Sequence, residues 1–202
     1  MKIINKTIVL VAAAFILAGC TRQEIRNAGK KDGNIICFGD SITFGYGVNR
    51  GDDYPSVLEK MLKAPVINAG VDGDTSFAAL ERLEQDVLSK NPRLVIVEFC
   101  GNDFLKNIPE ETTIENLDRI IDLIQERGAM VALMDISAGM FFKQYRKAFK
   151  RLAEKKQAIF IPVVLNKIIT NPSMKSDFFH PNARGYKVIA GRVFNAISRH
   201  IK

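Results

Sequence analysis

The chain has 202 residues, 47% of them hydrophobic, with 29 Lys and Arg against 22 Asp and Glu. That is enough apolar material for one compact domain with a full core, and nothing calls for a second. The net charge of +7 is too modest to point to nucleic acid, and two histidines and three scattered cysteines show neither metal-ligand spacing nor a disulfide framework.

At the N-terminus, Lys2 and Lys6 stand before an unbroken apolar run from Ile8 to Ala18, the layout of a secretory signal. Its eleven residues are too few to span a bilayer. The run ends in Leu17-Ala18-Gly19-Cys20, which resembles the lipobox of bacterial lipoproteins. The resemblance implies cleavage after residue 19, lipid on Cys20, and an exported chain anchored to membrane at the cell envelope. An ordinary signal with a chance cysteine is the alternative. Thr21 to Gly33 is polar and without periodicity, so 20–33 reads as a flexible tether and 34–202 as the folded domain. Losing the signal removes two basic residues, and the remaining excess suits anionic lipid as well as any other partner.

Five apolar, β-branched runs follow: 34–40 (NIICFGD), 65–70 (PVINAG), 93–100 (RLVIVEFC), 129–136 (AMVALMDI) and 158–163 (AIFIPV). Each is too short for a helix, and the lack of polar alternation predicts strands covered on both faces. Amphipathic stretches alternate with them, over 52–63 and 75–89. A third follows a Thr112–Glu115 capping-box spacing and ends at Gly128. A fourth covers about 141–156, and the last follows Pro181 with Asn182 as its cap. The expected fold is α/β, a three-layer sandwich around a five-stranded parallel sheet. Cys37 and Cys100 both fall in strand-like runs, where buried free thiols are the default and a bridge between them is the alternative.

Ligands of such sheets bind beyond the carboxyl ends of the strands. There the chain places Gly39-Asp40-Ser41, Asn68-Ala69-Gly70 and Gly101-Asn102-Asp103, with Asp177-Phe178-Phe179-His180 late in the sequence. A serine hydroxyl becomes a useful nucleophile when a base takes its proton, and histidine is the usual base. His200 lies two residues from the terminus and reads as a solvated end residue, which leaves His180. Asp177, three residues earlier, is within reach to fix the imidazole tautomer; the plainer reading is a turn cap beside a packed ring. Asp40 and Asp103 read as turn residues that satisfy local amides.

Taken in order, these four blocks resemble the signature blocks of the SGNH (GDSL) hydrolases, and NAGVDGDTS and YRKAF are similar to the bacterial branch with thioesterase, arylesterase and lysophospholipase activities. The resemblance covers 34–202 and implies the flavodoxin-like fold of that family. It implies Ser41 as nucleophile, His180 as base and Asp177 as its carboxylate, with the Ser41 and Gly70 amides and the Asn102 side chain as oxyanion donors. The implied activity is a serine esterase acting on carboxylic ester or thioester bonds of small-molecule or lipid substrates through an acyl-enzyme, without metal or cofactor. Alternatives are an O-deacetylase of envelope carbohydrate and a non-catalytic binding protein on the same fold.

Two positions depart from the family pattern. Cys100 stands where the third block usually has glycine, and a required positive φ there would displace Asn102. Asp72 stands where related sequences often have serine and adds negative charge that would repel anionic substrates. Met140, Phe141 and Phe142 read either as an acyl-binding wall or as the buried face of their helix. The basic residues from Lys143 to Lys156 read as a solvated face or a contact with lipid head groups. The Asn171-Pro172 turn suggests a mobile rim between the last strand and the base.

Overall fold

The computed structural model describes residues 24–137 and 142–201. Its elements run β1 (Asn34–Gly39), α1 (Ser41–Phe44), α2 (Tyr54–Leu62), β2 (Val66–Gly70), α3 (Ser76–Asp86), β3 (Pro92–Glu98), α4 (Gly101–Leu105), α5 (Glu110–Glu126), β4 (Met130–Met134), α6 (Lys143–Lys155), β5 (Ile159–Ile161) and α7 (Ala183–Ile197). Short 3-10 turns occupy 88–90 and 172–174. The five strands are parallel throughout, in the order β2-β1-β3-β4-β5. That order is the doubly wound, flavodoxin-like one, with its switch between β1 and β3. Helices α2 and α7 pack together, and α3, α5 and α6 form a second group, so the sheet is the middle of three layers. Ile35–Phe38 and Leu94–Val97 are wholly buried along both faces, which is why these runs carry no polar alternation.

The expected strands are found to within one or two residues at most ends, and β5 is three residues long. Two short helices, α1 and α4, had no periodicity to announce them. The capping box is not formed: α5 begins at Glu110 with Pro109 ahead of it and no side-chain cap. Thr113, a residue further on, instead binds the Asp103 carboxylate at 3.0 Å. Gly128 follows α5 with φ 76°, the left-handed stop expected there.

Residues 25–27, expected to fall in a flexible tether, are instead held on the domain. Ile25 packs against the core, the Arg26 N–H donates to the Gln157 carbonyl (2.9 Å), and the Asn27 amide donates to the Gln125 and Ala129 carbonyls (both 2.9 Å). These contacts hold the chain on the domain before Asn34. The expected cleavage site, Cys20 and the rest of 1–23 lie outside the described residues. Cys37 and Cys100 are free and buried, as the default reading had it. At the C-terminal end of α6, Lys155 and the capping Lys156 pair with Asp118, and Lys156 also with Asp122, so the end of that basic segment is tied to α5.

Arg82 pins the sheet end that carries the site. From α3 its guanidinium donates to the carbonyls of Ala69 (2.9 Å) and Gly39 (3.1 Å), the last residues or nearly so of β2 and β1. The same group binds Asp74 at 2.7 Å and lies 4.4 Å over the Phe38 ring. One partly buried cation therefore fixes two strand ends and the start of α3 together.

Candidate active site

The first strand ends at Gly39 because the chain must turn hard. A Cβ at Gly39 would stand 2.1 Å from the Thr43 hydroxyl and 2.6 Å from Glu98 Oε2. Asp40 then caps α1, its carboxylate accepting the Ile42 N–H at 3.0 Å, and Gly45 at φ 90° ends the helix one turn later. This clamp sets Ser41 at the head of α1, with its N–H in the first turn, where helical amides lack internal partners.

Across the sheet end, the loop before α7 delivers the base. Asn182 caps α7 with its side chain accepting the Arg184 and Gly185 N–H groups, and Lys175 and Pro181 form an isolated bridge that closes the loop between them. Within that loop the Asp177 carboxylate accepts the backbone N–H groups of Phe179 and His180, each at 2.8 Å. It also meets His180 Nδ1 at 2.8 Å, while His180 Nε2 lies 3.1 Å from Ser41 Oγ. The Tyr46 ring covers the imidazole, with centroids 4.4 Å apart. Burial alone would push the Asp177 carboxyl up; the hydrogen bonds from His180 and Phe179 outweigh it and hold the group below its ordinary value. The carboxylate therefore keeps the Nδ1 proton facing it and leaves Nε2 to accept from the serine.

Ser41, Asp177 and His180 thus come together from positions 139 residues apart. Asn102 joins them at the cleft: its amide donates to the Asp74 carbonyl at 2.9 Å and, more loosely, to Asp40 Oδ2 at 3.3 Å. Cys100 does not displace it, because its φ of 163° is extended backbone open to any residue. Asp40 has the turn-capping role read for it, and burial pushes its carboxyl up to about 6. Asp103 satisfies more distant groups than its own turn, accepting the Ser76 N–H and hydroxyl and the Thr113 hydroxyl.

Gly70 is the correction. Its N–H donates to the Asn68 side chain at 2.9 Å, and a Cβ there would stand 2.1 Å from the Phe44 nitrogen. It is a glycine so that α1 can lie on β2, and it lines a groove with Val48 and Ser56, away from the catalytic cleft. Of the two glycines in this block, Gly73 is the one next to a cleft-lining residue, Asp72. It has φ 76° in the turn closed by the Asp74 N–H on the Val71 carbonyl (3.3 Å), between cleft-lining Asp72 and the carbonyl that holds Asn102. Both glycines were visible in NAGVDGDTS, but only packing separates them.

The cleft encloses about 130 Å³ above Ser41. Asp40, Asp72, Asn102 and His180 supply its polar part, and Ile42, Leu105, Ile136, Phe142, Leu165, Ile169, Phe178 and Phe179 the apolar remainder. Phe142 therefore belongs to the wall, stacked edge-on against Phe104 at 5.2 Å, whereas Met140 and Phe141 lie outside the described residues. Leu165 and Ile169 come from the expected rim segment. Phe178 and Phe179 were missed, although two adjacent phenylalanines between the catalytic Asp and His signal an apolar edge. Glu98 was also missed; a lone acid inside the apolar run RLVIVEFC was its signal. Among the described residues no group of three or more His, Cys, Asp or Glu is arranged to hold a metal.

A hydroxyl, an imidazole and a carboxylate in series, beyond the carboxyl end of a parallel sheet, define a serine hydrolase of α/β type. The chain belongs to the GDSL-like lipase/acylhydrolase family, whose model matches residues 37–188, and it is a carboxylic ester hydrolase of that family. It is 31% identical to an arylesterase of Vibrio mimicus over 86% of this chain and 92% of the relative. It is 29% identical to thioesterase 1/protease 1/lysophospholipase L1 of Escherichia coli (strain K12) over 77% and 79%. The fold superposes on the crystal structure of TesA with a TM-score of 0.75 at 25% identity, covering 83% of this chain and 99% of the other.

Proposed function

We propose that the protein cleaves esters or thioesters of apolar acyl groups, lysophospholipids among them, through an acyl-enzyme on Ser41. His180 Nε2 takes the Ser41 proton as Oγ bonds to the substrate carbonyl carbon. The tetrahedral oxyanion is held by the Ser41 N–H, by the Asn102 amide proton now loosely on Asp40, and by the Gly73 N–H in place of Gly70. Collapse breaks the bond to the leaving alcohol or thiol, which departs with the proton from His180. Water then gives a proton to His180 as its oxygen bonds to the acyl carbon; the bond from that carbon to Oγ breaks, His180 returns the proton to Ser41, and the carboxylic acid leaves. Asp177 holds the ring throughout and stabilises the imidazolium.

The observation that carries this reading is the hydrogen-bonded series Ser41–His180–Asp177 opening onto a cleft lined mainly by aliphatic and phenylalanine side chains. That lining disfavours an acetylated carbohydrate, whose hydroxyls would lose water without gaining partners. Asp72 at the mouth disfavours anionic leaving groups, though Lys106, bound to the Gly73 carbonyl at 3.2 Å, stands close by. Each methylene taken from water is worth about 0.8 kcal/mol, so hexanoyl should exceed acetyl p-nitrophenyl ester in kcat/KM by about tenfold or more. Comparing acetyl, hexanoyl and dodecanoyl esters with a lysophospholipid checks this. Preference for the acetyl ester, or for an acetylated sugar, would overturn the acyl-chain reading.

The lipobox-like Leu17–Cys20 supports a companion proposal, that the enzyme is exported and anchored to envelope membrane by lipid on Cys20. Expressed with its N-terminus intact, the protein should take up a palmitate probe and lose that label in Cys20→Ala. Labelling that survives the substitution counts against the anchor.

A further inference from the structure

Beneath the nucleophile turn lies an acid that the hydrolytic steps do not use. Glu98 ends β3 with no solvent exposure. Its Oε2 accepts the Thr43 hydroxyl at 2.9 Å and the Asp40 N–H at 3.3 Å, and its other oxygen, Oε1, is buried without a donor facing it. Thr43 in turn meets the Tyr54 hydroxyl at 3.1 Å. The two acids meet at this turn, where the Asp40 N–H rests on Glu98 Oε2, and each carboxyl acts on the other. Two neighbouring buried carboxylates are not both held as anions, and a buried oxygen with no donor facing it fits a protonated acid, because an anion would leave that charge unsatisfied.

We propose that Glu98 is a positioning residue that carries a proton and donates it as a hydrogen bond to the Asp40 carboxylate, so that the pair holds one negative charge under the Ser41 turn. Asp40 then retains its contacts with the Ile42 N–H and the Asn102 amide. Through them Glu98 sets the Ser41 amide and Asn102, two of the oxyanion donors, while keeping a second negative charge away from the developing oxyanion.

Burial pushes the Glu98 carboxyl well above its ordinary value, and the Asp40 charge adds to the shift. The groups around the pair agree. Tyr54 on α2, Cys100 after β3 and Tyr186 on α7 all sense Glu98 and are neutral acids raised by the same burial. None supplies a positive charge. On the cleft side His180 and Asp74 act on Asp40 with opposite signs. The two carboxyls titrate as a pair, and its single proton stays on the deeper member.

The inference rests on the esterase reading for its consequence in turnover but not for the proton itself. At neutral pH, the infrared difference between the parent protein and Glu98→Gln should contain the C=O stretch of a neutral carboxylic acid, with no substrate present. Glu98→Gln replaces the acid by a neutral amide that still donates to Asp40 and accepts from Thr43, so kcat should stay within about threefold. Glu98→Met keeps the length and loses the hydrogen bonds; displaced donors should cost about a hundredfold in kcat with KM changed little. Absence of the carboxylic band overturns the proposal. So does a Gln variant that falls as far as Met, or a Met variant that retains kcat. If Glu98→Met does not fold, the infrared band and the Gln variant decide. An inactive parent that still shows the band would count against the esterase reading alone.

Discussion

Ser41→Ala should lose about five to six orders of magnitude in turnover of a p-nitrophenyl ester and keep the thermal midpoint of the parent. The loss is large because no other group at the cleft can form the acyl bond, and the oxyanion donors and pocket that remain account for only a residual rate over water. The fold should survive because the turn does not depend on the hydroxyl. Asp40 caps α1 through the Ile42 N–H, Gly45 closes it, and Thr43 ties it to Glu98, whereas Ser41 Oγ contributes the one contact with His180. A fluorophosphonate should label the parent and leave the variant unmarked. Turnover within tenfold of the parent, or labelling that persists, would remove Ser41 from the mechanism and revive a non-catalytic binding protein on this fold.

That serine was legible in the sequence because three constraints coincide at it: an apolar strand, a Gly-Asp turn, and a later Asp-x-x-His placed ahead of a capped helix. The strands were legible for a related reason, since burial on both faces leaves β-branched runs such as 93–100 with almost no polar residue. The short helices were not. A four-residue α1 has no amphipathic period, and its helical turn is imposed by the Asp40 cap and the left-handed Gly45. The Thr112–Glu115 spacing misled because Pro109 fixes the entry to α5 three residues earlier, and Thr113 is drawn to Asp103.

The choice between Gly70 and Gly73 shows where local reading ends. Both follow the second strand within one motif, and either amide is a plausible donor on spacing alone. Only the contact of Gly70 with α1 and the use of its N–H by Asn68 separate them, and both facts belong to tertiary packing. The cleft wall was hidden for the same cause. Ile136, Phe142, Leu165 and Phe178 come from segments far apart, each with an equally good reading as core.

Asp177→Asn should reduce kcat by about four orders of magnitude with little change in KM. The carboxylate now serves three N–H groups: the His180 ring at 2.8 Å and the backbone of Phe179 and His180 at 2.8 Å each. In the variant the single amide oxygen goes to the two backbone donors, which are fixed by the loop. The amide NH₂ is then turned toward Nδ1, where it favours the tautomer protonated at Nε2. Such a ring cannot accept the Ser41 proton, although every heavy atom stays near its place. Because the parent carboxyl is held below its ordinary value, it remains ionised through the neutral range. Its contribution to stability is present above the ordinary carboxylate pKa and is lost as pH falls through the lowered folded value. That contribution is small for a side chain 42% exposed, so the thermal midpoint at neutral pH should move little while turnover collapses. Fluorophosphonate labelling should slow in step with kcat, since it needs the same activated hydroxyl. A variant that keeps more than about a tenth of the parent kcat would mean that another group orients the imidazole. The Tyr46 ring, which packs against the imidazole at 4.4 Å, would be the first to examine.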